Sequence, residues 1–272
     1  MKSKERMSFT GERLTPDLSG FNPGSLIRHL IEKGPLNPIA IFYLRAEHLS
    51  GYTFVAREIL LQGKRALDIG CGTGYGSDEC LKRGKAGLVV GLDRDCPSEK
   101  VQDALTALEY AQGKYGREGL HFLGGLAENL PFPDRTFGVV VSFEVIEHLK
   151  DPKLLLRETR RVMADEGVFI LSTPNRTLVN PGATIKDKPK NRFHEVEYNK
   201  GEFKSLLGEY FDEIHFLGQF GSAGIKSNNW LIKRLTLYAN LARLEEVTKV
   251  VPLEESQEPL ILVAVCRGKK EP

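Results

Sequence analysis

The chain has 272 residues, of which 41% are hydrophobic and 27% charged, and its formal net charge is +2. That length suits one well-buried α/β domain with decorations rather than two independent domains, and the near-balanced charge gives no general drive toward nucleic acid. Cys71, Cys80, Cys96 and Cys266 show no C-x-x-C spacing, so neither a zinc knuckle nor a disulfide framework is expected. No apolar stretch approaches the roughly 20 residues of a membrane span, and the basic start lacks the apolar core of a signal peptide. The expectation is a cytoplasmic protein with reduced thiols.

In chain order, residues 1–38 are rich in Gly, Pro and polar groups and are expected to form an N-terminal arm ahead of a domain over 39–272. Residues 38–62 place Ile41, Leu44, His48, Tyr52, Val55 and Ile59 at helical spacing. Strands are expected at about 65–70, 87–92, 120–124, 138–143 and 167–172, with helices at about 75–83, 98–112, 151–163 and 200–209. Such alternation predicts a parallel, doubly wound sheet that binds ligands at the strands' C-terminal ends. The end of the chain differs, because 213–217 and 260–265 both read as strands without an obvious crossover helix. Between them lies a helical insert, about 222–255, whose helix at about 228–247 carries Trp230, Leu231, Leu235, Tyr238, Leu241 and Leu244 beside Lys233, Arg234 and Arg243. An amphipathic helix of this kind either caps an acceptor pocket as a lid or makes peripheral contact with an anionic membrane.

Two motifs carry chemistry. The first is Asp68-Ile69-Gly70-Cys71-Gly72-Thr73-Gly74, followed about 20 residues later by Asp93 at the end of the next strand. Glycines let a backbone approach a ligand closely, and an acid at Asp93 can accept both hydrogens of a ribose diol, so an adenosine-containing cofactor is expected. A dinucleotide site would read G-x-G-x-x-G and face a pyrophosphate. An acid just before the glycines would repel pyrophosphate and suits a cationic ligand instead. The second motif is Glu144-x-x-Glu147-His148, past the fourth strand, where one helical turn would bring the three side chains to one face. Two carboxylates and an imidazole on one face invite a divalent cation, with Mg²⁺ or Mn²⁺ preferred for an oxygen-rich donor set. His194 offers a second imidazole. Each of these residues also has a plainer role open to it, as a solvated helix start or a loop histidine.

At these residues the chain resembles the class I S-adenosylmethionine-dependent methyltransferases, over roughly residues 40–220. The segment Ala127-Glu128-Asn129-Leu130-Pro131-Phe132 follows in that family's order. The resemblance implies a Rossmann-like doubly wound sheet of seven strands, mostly parallel with an antiparallel final strand, and S-adenosylmethionine as the cofactor. Carried over residue by residue, Asp68, Gly70, Cys71, Gly72, Gly74, Asp93, Arg94, Ala127 and Phe143 would bind that cofactor. The chain departs from the family at Leu126, where many relatives place an Asp on the adenine amino group; backbone and apolar contacts would hold the adenine instead. It departs again at Phe137-Gly138, where "Phe-Asp" is usual.

Within the class, the Glu-Val-x-Glu-His segment resembles that of ubiquinone-pathway O-methyltransferases and the E-x-x-E-H of small-RNA 3′-terminal 2′-O-methyltransferases. The latter implies Glu144, Glu147, His148 and His194 as metal ligands. Bacterial sugar and glycan-cluster methyltransferases resemble the whole chain better, through Phe9-Thr10-Gly11-Glu12-Arg13, Ser142-Phe143-Glu144, Ser172-Thr173-Pro174-Asn175 and Phe193-His194. The expected reaction is methyl transfer to a hydroxyl of a sugar or small metabolite, with His148, Glu144 and His194 as the candidate catalytic groups. Alternatives are a quinone-precursor phenol or catechol, an RNA 3′ end, a non-catalytic S-adenosylmethionine-binding protein, and a nicotinamide-dependent dehydrogenase. The sequence leaves the oligomeric state open.

Overall fold

The computed structural model describes residues 37–94, 105–220 and 248–270. Residues 1–36 of the expected arm (1–38), Cys96 and the insert helix at 228–247 lie outside these residues, and the arm's last two residues already belong to a helix. Helix α1 (Asn37–Glu58) leads into β1 (Arg65–Ile69), α2 (Tyr75–Lys82), β2 (Leu88–Asp93), α3 (Ala107–Tyr115), β3 (Leu120–Gly124) and β4 (Phe137–Phe143). A single 3₁₀ turn (Ile146–His148) precedes α4 (Pro152–Val162), β5 (Met163–Pro174) and the short α5 (Arg176–Val179). Then come α6 (Lys200–Gly208), β6 (Phe211–Gln219), β7 (Val250–Pro252) and β8 (Ile261–Lys269).

The strands form one sheet in the order β3-β2-β1-β4-β5-β8-β6-β7. The first five are parallel, and β8 runs antiparallel between β5 and β6. Antiparallel β8 can be reached without a crossover helix, which explains why none was legible there. The expected seven strands become eight, because β7 adds to the edge of β6. It has only three residues and ends on Pro252. Such a stretch is too short to show a period, and proline suits an edge.

Strand alternation divides the core. In β1, Leu67 and Ile69 enter the cluster with Leu155 and Leu156 of α4 and Phe203 and Leu207 of α6. Ala66 turns to the other face, with Tyr52 and Val55 of α1 and Cys80 of α2. Asp68 shares the parity of Ala66 and is therefore delivered beneath α1 and α2. A β-bulge between Phe137 and Val139 lets Phe137 join the first cluster while Val139, Val141 and Phe143 join the second.

Local capping fixes the helix starts. Thr106 and Glu109 form a capping box on α3, and residues 98–104 of the expected helix lie outside the described residues. Asp151 caps α4 with Pro152 in its first turn, and Asn199 and Glu202 form a second box on α6. Among the described residues no helix is long and apolar enough to cross a membrane.

Candidate active site

The glycine loop leaves β1 at the C-terminal edge of the sheet. Its start is pinned to β2, where the Leu92 carbonyl accepts from the N–H groups of Gly70 and Cys71 at 2.7 and 3.1 Å. Gly72 has φ +53°, and a Cβ built there would meet no atom within 4 Å. The loop therefore presents open backbone, as a closely approaching ligand requires. Asp93 reaches back across this opening, and its Oδ2 accepts from Gly72 N–H at 2.7 Å. Within the loop Gly74 backs onto Phe122 and Ala111, and Ala127 and Phe143 are both buried, one in each core cluster. Cys71 is buried too, and Arg94 is exposed just beyond Asp93.

Asp68 is 1% exposed. Tyr52 donates to its Oδ1 at 2.9 Å and Ser77 to its Oδ2 at 2.6 Å. Burial pushes its pKa up to about 6, with Asp93 contributing, although both hydroxyl donors pull the other way. Its carboxylate thus joins α1, β1 and α2 beneath the loop. His48, one turn before Tyr52 on α1, is pushed down to about 4 by burial.

The second motif does not form one helical face. Glu144 adopts φ +55°, an uncommon conformation for a residue with a Cβ, and Ser172 holds it there. The Ser172 hydroxyl accepts from Glu144 N–H at 3.1 Å and donates to Glu144 Oε1 at 2.6 Å. The 3₁₀ turn starts only afterwards, at Ile146. Glu147 points into the protein, fully buried, where Thr173 donates to its Oε2 at 3.2 Å. Between them Val145 lies against the glycine loop, since a Cβ on Gly70 would run into its Cγ2. This contact joins the two motifs.

A strap formed by residues 183–198 brings in His194. Glu195 and Val196 donate their N–H groups to the Glu147 carbonyl at 2.7 and 3.2 Å. The rings of His148 and His194 then meet edge to face, 4.9 Å apart. Buried Arg176 closes the strap, donating to the carbonyls of Ala183 and Glu197 and pairing with Glu202 at 2.6 Å. His148 Nδ1 lies 2.9 Å from the Phe193 carbonyl. A carbonyl only accepts, so Nδ1 carries the hydrogen and Nε2 is the basic nitrogen.

His194 is held at both nitrogens. Nδ1 lies 3.0 Å from Oε1 of Glu197, and Nε2 lies 2.7 Å from Nδ2 of Asn191. Phe193 N–H donates to Asn191 Oδ1, which orients the amide with its nitrogen toward the ring. His194 is therefore a neutral imidazole with its hydrogen on Nδ1. Burial, and secondarily the neighbouring His148, lower its pKa, while Glu197 opposes them. Glu197 is 4% exposed and was not singled out from the sequence. Its signal is the His-x-x-Glu spacing of 194–197, which looks like ordinary surface polarity until the strap folds over the 3₁₀ turn.

These facts test the expected metal site. Ligand atoms of Glu147, His148 and His194 lie within 4.8 Å of one another. Glu144 is not part of that group, because its left-handed backbone and Ser172 turn it aside. His194 would have to surrender Asn191 or Glu197 to bind an ion. Two imidazoles with one carboxylate also make a poor set for Mg²⁺, which favours oxygen. Three of the four expected ligands, Glu147, His148 and His194, stand within reach of one ion, and Glu144 stands outside that group. Within it the two histidines form a pair with hydrogen-bonded Nδ1 atoms.

Residues 67–171 match the family described as the methyltransferase domain. A probable S-adenosylmethionine-dependent methyltransferase of Mycolicibacterium smegmatis is 39% identical over 182 residues, covering 64% of this chain and 65% of that protein. The ubiquinone biosynthesis O-methyltransferase of Azorhizobium caulinodans is 32% identical over 146 residues, covering 53% of each chain. The chain thus spans less than two thirds of the length of these curated relatives. Among solved structures, an S-adenosylmethionine-dependent methyltransferase of Thermotoga maritima superposes with a TM-score of 0.54 at 21% identity, covering 91% of this chain and 95% of that one. A protein of Pyrococcus horikoshii gives 0.52 at 17% identity, covering 92% and 100%. At that identity the two structures show the shared fold.

Proposed function

From a chain whose residues 67–171 form a methyltransferase domain with S-adenosylmethionine-dependent relatives, we propose an O-methyltransferase acting on a hydroxyl of a sugar or small metabolite. The observation that carries this reading is Val145 against Gly70, which seats the His148 turn directly on the glycine loop. The donor cradle and a basic imidazole nitrogen share one rim.

The cradle fits the cofactor. The open backbone at Gly72 admits close approach, Asp93 offers a carboxylate for the ribose diol, and buried Asp68 supplies negative potential beneath a cationic ligand. Leu126, 57% exposed beside buried Ala127, leaves apolar and backbone contact for the adenine. Bound S-adenosylmethionine supplies a methyl group already activated on its sulfonium. An aliphatic hydroxyl is a poor nucleophile at neutral pH, so this chain must orient the acceptor and take its proton. His148 takes that proton at Nε2 while the Phe193 carbonyl holds Nδ1–H. General-base help of this kind contributes roughly 10²–10⁴-fold. His194 keeps Asn191 and Glu197, and Glu144 keeps Ser172, while His148 moves the proton.

The test pairs calorimetry with turnover. S-adenosylhomocysteine should bind wild type and His148→Ala alike, while methyl transfer to a panel of sugars is lost in the variant. Equal turnover in the two would remove His148 from the mechanism. A catechol acceptor is the second reading, favoured by the 32% identity to the ubiquinone-pathway enzyme. Turnover of catechols but not sugars would establish it. A cytoplasmic location belongs to the same proposal.

A further inference from the structure

Resting on the methyl-transfer reading above, we infer that Glu144 selects the acceptor: its carboxylate takes a hydrogen bond from a neutral hydroxyl adjacent to the one that is methylated. Among the described residues, three other than glycine have positive φ. Lys85 and Arg135 lie in exposed turns that lead into β2 and β4. Glu144, at φ +55°, leaves β4 instead, at the edge of the sheet where the glycine loop opens. Backbone of this kind persists only where its surroundings hold it, and it collects at ligand sites. The hold here is Ser172. It pairs with Phe143 across β4 and β5, is itself buried, and binds Glu144 at both its N–H and its Oε1. Glu144 is half-buried, so a buried hydroxyl grips a residue that remains partly open to solvent. The turn that follows starts at Val145 with no side-chain cap, so helix capping does not explain the acid.

Glu144 stands between the cradle and the base. Val141, three residues before it, pairs with Asp68 on β1, and Val145, the next residue, abuts Gly70. Tyr75, which opens α2 directly after Gly74, is half-buried and feels both motifs. Burial raises its pKa, and the charges of Asp68 and Glu144 raise it further. On the other side, His148 N–H closes one turn on the Val145 carbonyl at 3.0 Å. A carboxylate only accepts, and with about four lone-pair sites it can serve Ser172 and a ligand together. Its partner on the acceptor must therefore be a donor. A hydroxyl meets this need, whereas the neighbouring sulfonium disfavours an ammonium and Glu144 itself repels an anion. The hydroxyl that is methylated gives its proton to His148 Nε2 as its oxygen bonds to the methyl carbon and the methyl–sulfur bond breaks. The adjacent hydroxyl keeps its proton and shares it with Glu144. Two anchors fix the direction of attack, which a single hydrogen bond leaves free.

The experiment measures methyl transfer by the full chain from labelled S-adenosylmethionine to matched acceptors: methyl glucoside against its 2-, 3- and 4-deoxy analogues, and catechol against phenol. In wild type, removing one neighbouring hydroxyl should lower kcat/KM by about 10–100-fold, as the loss of a hydrogen bond to a charged group does. In Glu144→Gln the ratio of diol to deoxy acceptor should fall close to one. Glu144→Gly accepts the left-handed backbone and should show the same collapse, which keeps the test open should the amide disturb the turn. A merely structural Glu144 would slow both acceptors alike and leave the ratio as in wild type, and that result would overturn the inference. So would a wild type that uses the single hydroxyl as well as the pair, or that prefers the 2-amino-2-deoxy glucoside. Failure of S-adenosylhomocysteine to bind, or transfer to nitrogen only, would instead sink the reading on which the inference rests.

Discussion

Asp68 and Asp93 both stand at strand ends, yet the fold uses their charges differently. Asp93 faces the open loop, so Asp93→Ala should weaken S-adenosylhomocysteine binding by about 10–100-fold, the loss expected for charged hydrogen bonds of roughly 1.5–3 kcal/mol; calorimetry measures it directly. Asp68 is buried, with a pKa near 6 against an ordinary 3.8. The folded state therefore holds this proton more tightly than the unfolded chain, and the stabilisation it gives at low pH is lost as pH rises from about 4 to 6. A cationic ligand favours the ionised form, so affinity should fall below pH 6, by about tenfold at pH 5. Titrations at pH 5 and 7.5 should show the difference in wild type and lose it in Asp68→Asn. Glu197 acts at one remove, through His194 and its edge contact with His148. Glu197→Gln should leave cofactor affinity unchanged and lower kcat more than KM, with the ¹⁵N spectrum reporting a changed His194 tautomer.

Among the elements, the strap 183–198 matters most, because it has no regular structure to hold it. Arg176 does that work through two backbone carbonyls and Glu202. Replacing it with Met leaves the buried Glu197 carbonyl without its donor, a loss of roughly 1–3 kcal/mol for an unsatisfied buried acceptor. Limited proteolysis should then cut within 184–192 well before wild type is cut. An unchanged cleavage pattern would show that the backbone bonds to Glu147 suffice. Helices α3 and α6 owe their starts to Thr106–Glu109 and Asn199–Glu202 boxes. The strand β7 and the break between Glu144 and the 3₁₀ turn were not readable in the sequence. Three residues show no period, and a left-handed glutamate is chosen by Ser172, 28 residues away in sequence.

For the whole molecule, the proposed general-base role of His148 makes methyl transfer independent of a divalent ion. Prolonged chelation followed by gel filtration should leave methyl transfer within about twofold of the untreated enzyme. A loss restored by Mn²⁺ would mean that His194 exchanges Asn191 for a metal during turnover. The sequence by itself determined the α/β class, the glycine loop and its downstream acid, because these depend on local signals: apolar runs, glycines, and a spacing set by one strand–helix–strand unit. It also placed His148 and His194 among the candidates. Only the tertiary structure decided which groups meet. Strand parity sends Asp68 beneath α1, Ser172 draws Glu144 out of the cluster, and the strap closed by Arg176 delivers Glu197 to His194. Such pairings join residues from separate strands and loops. No local period encodes them, and they exist only once the sheet has set the distances between its strand ends.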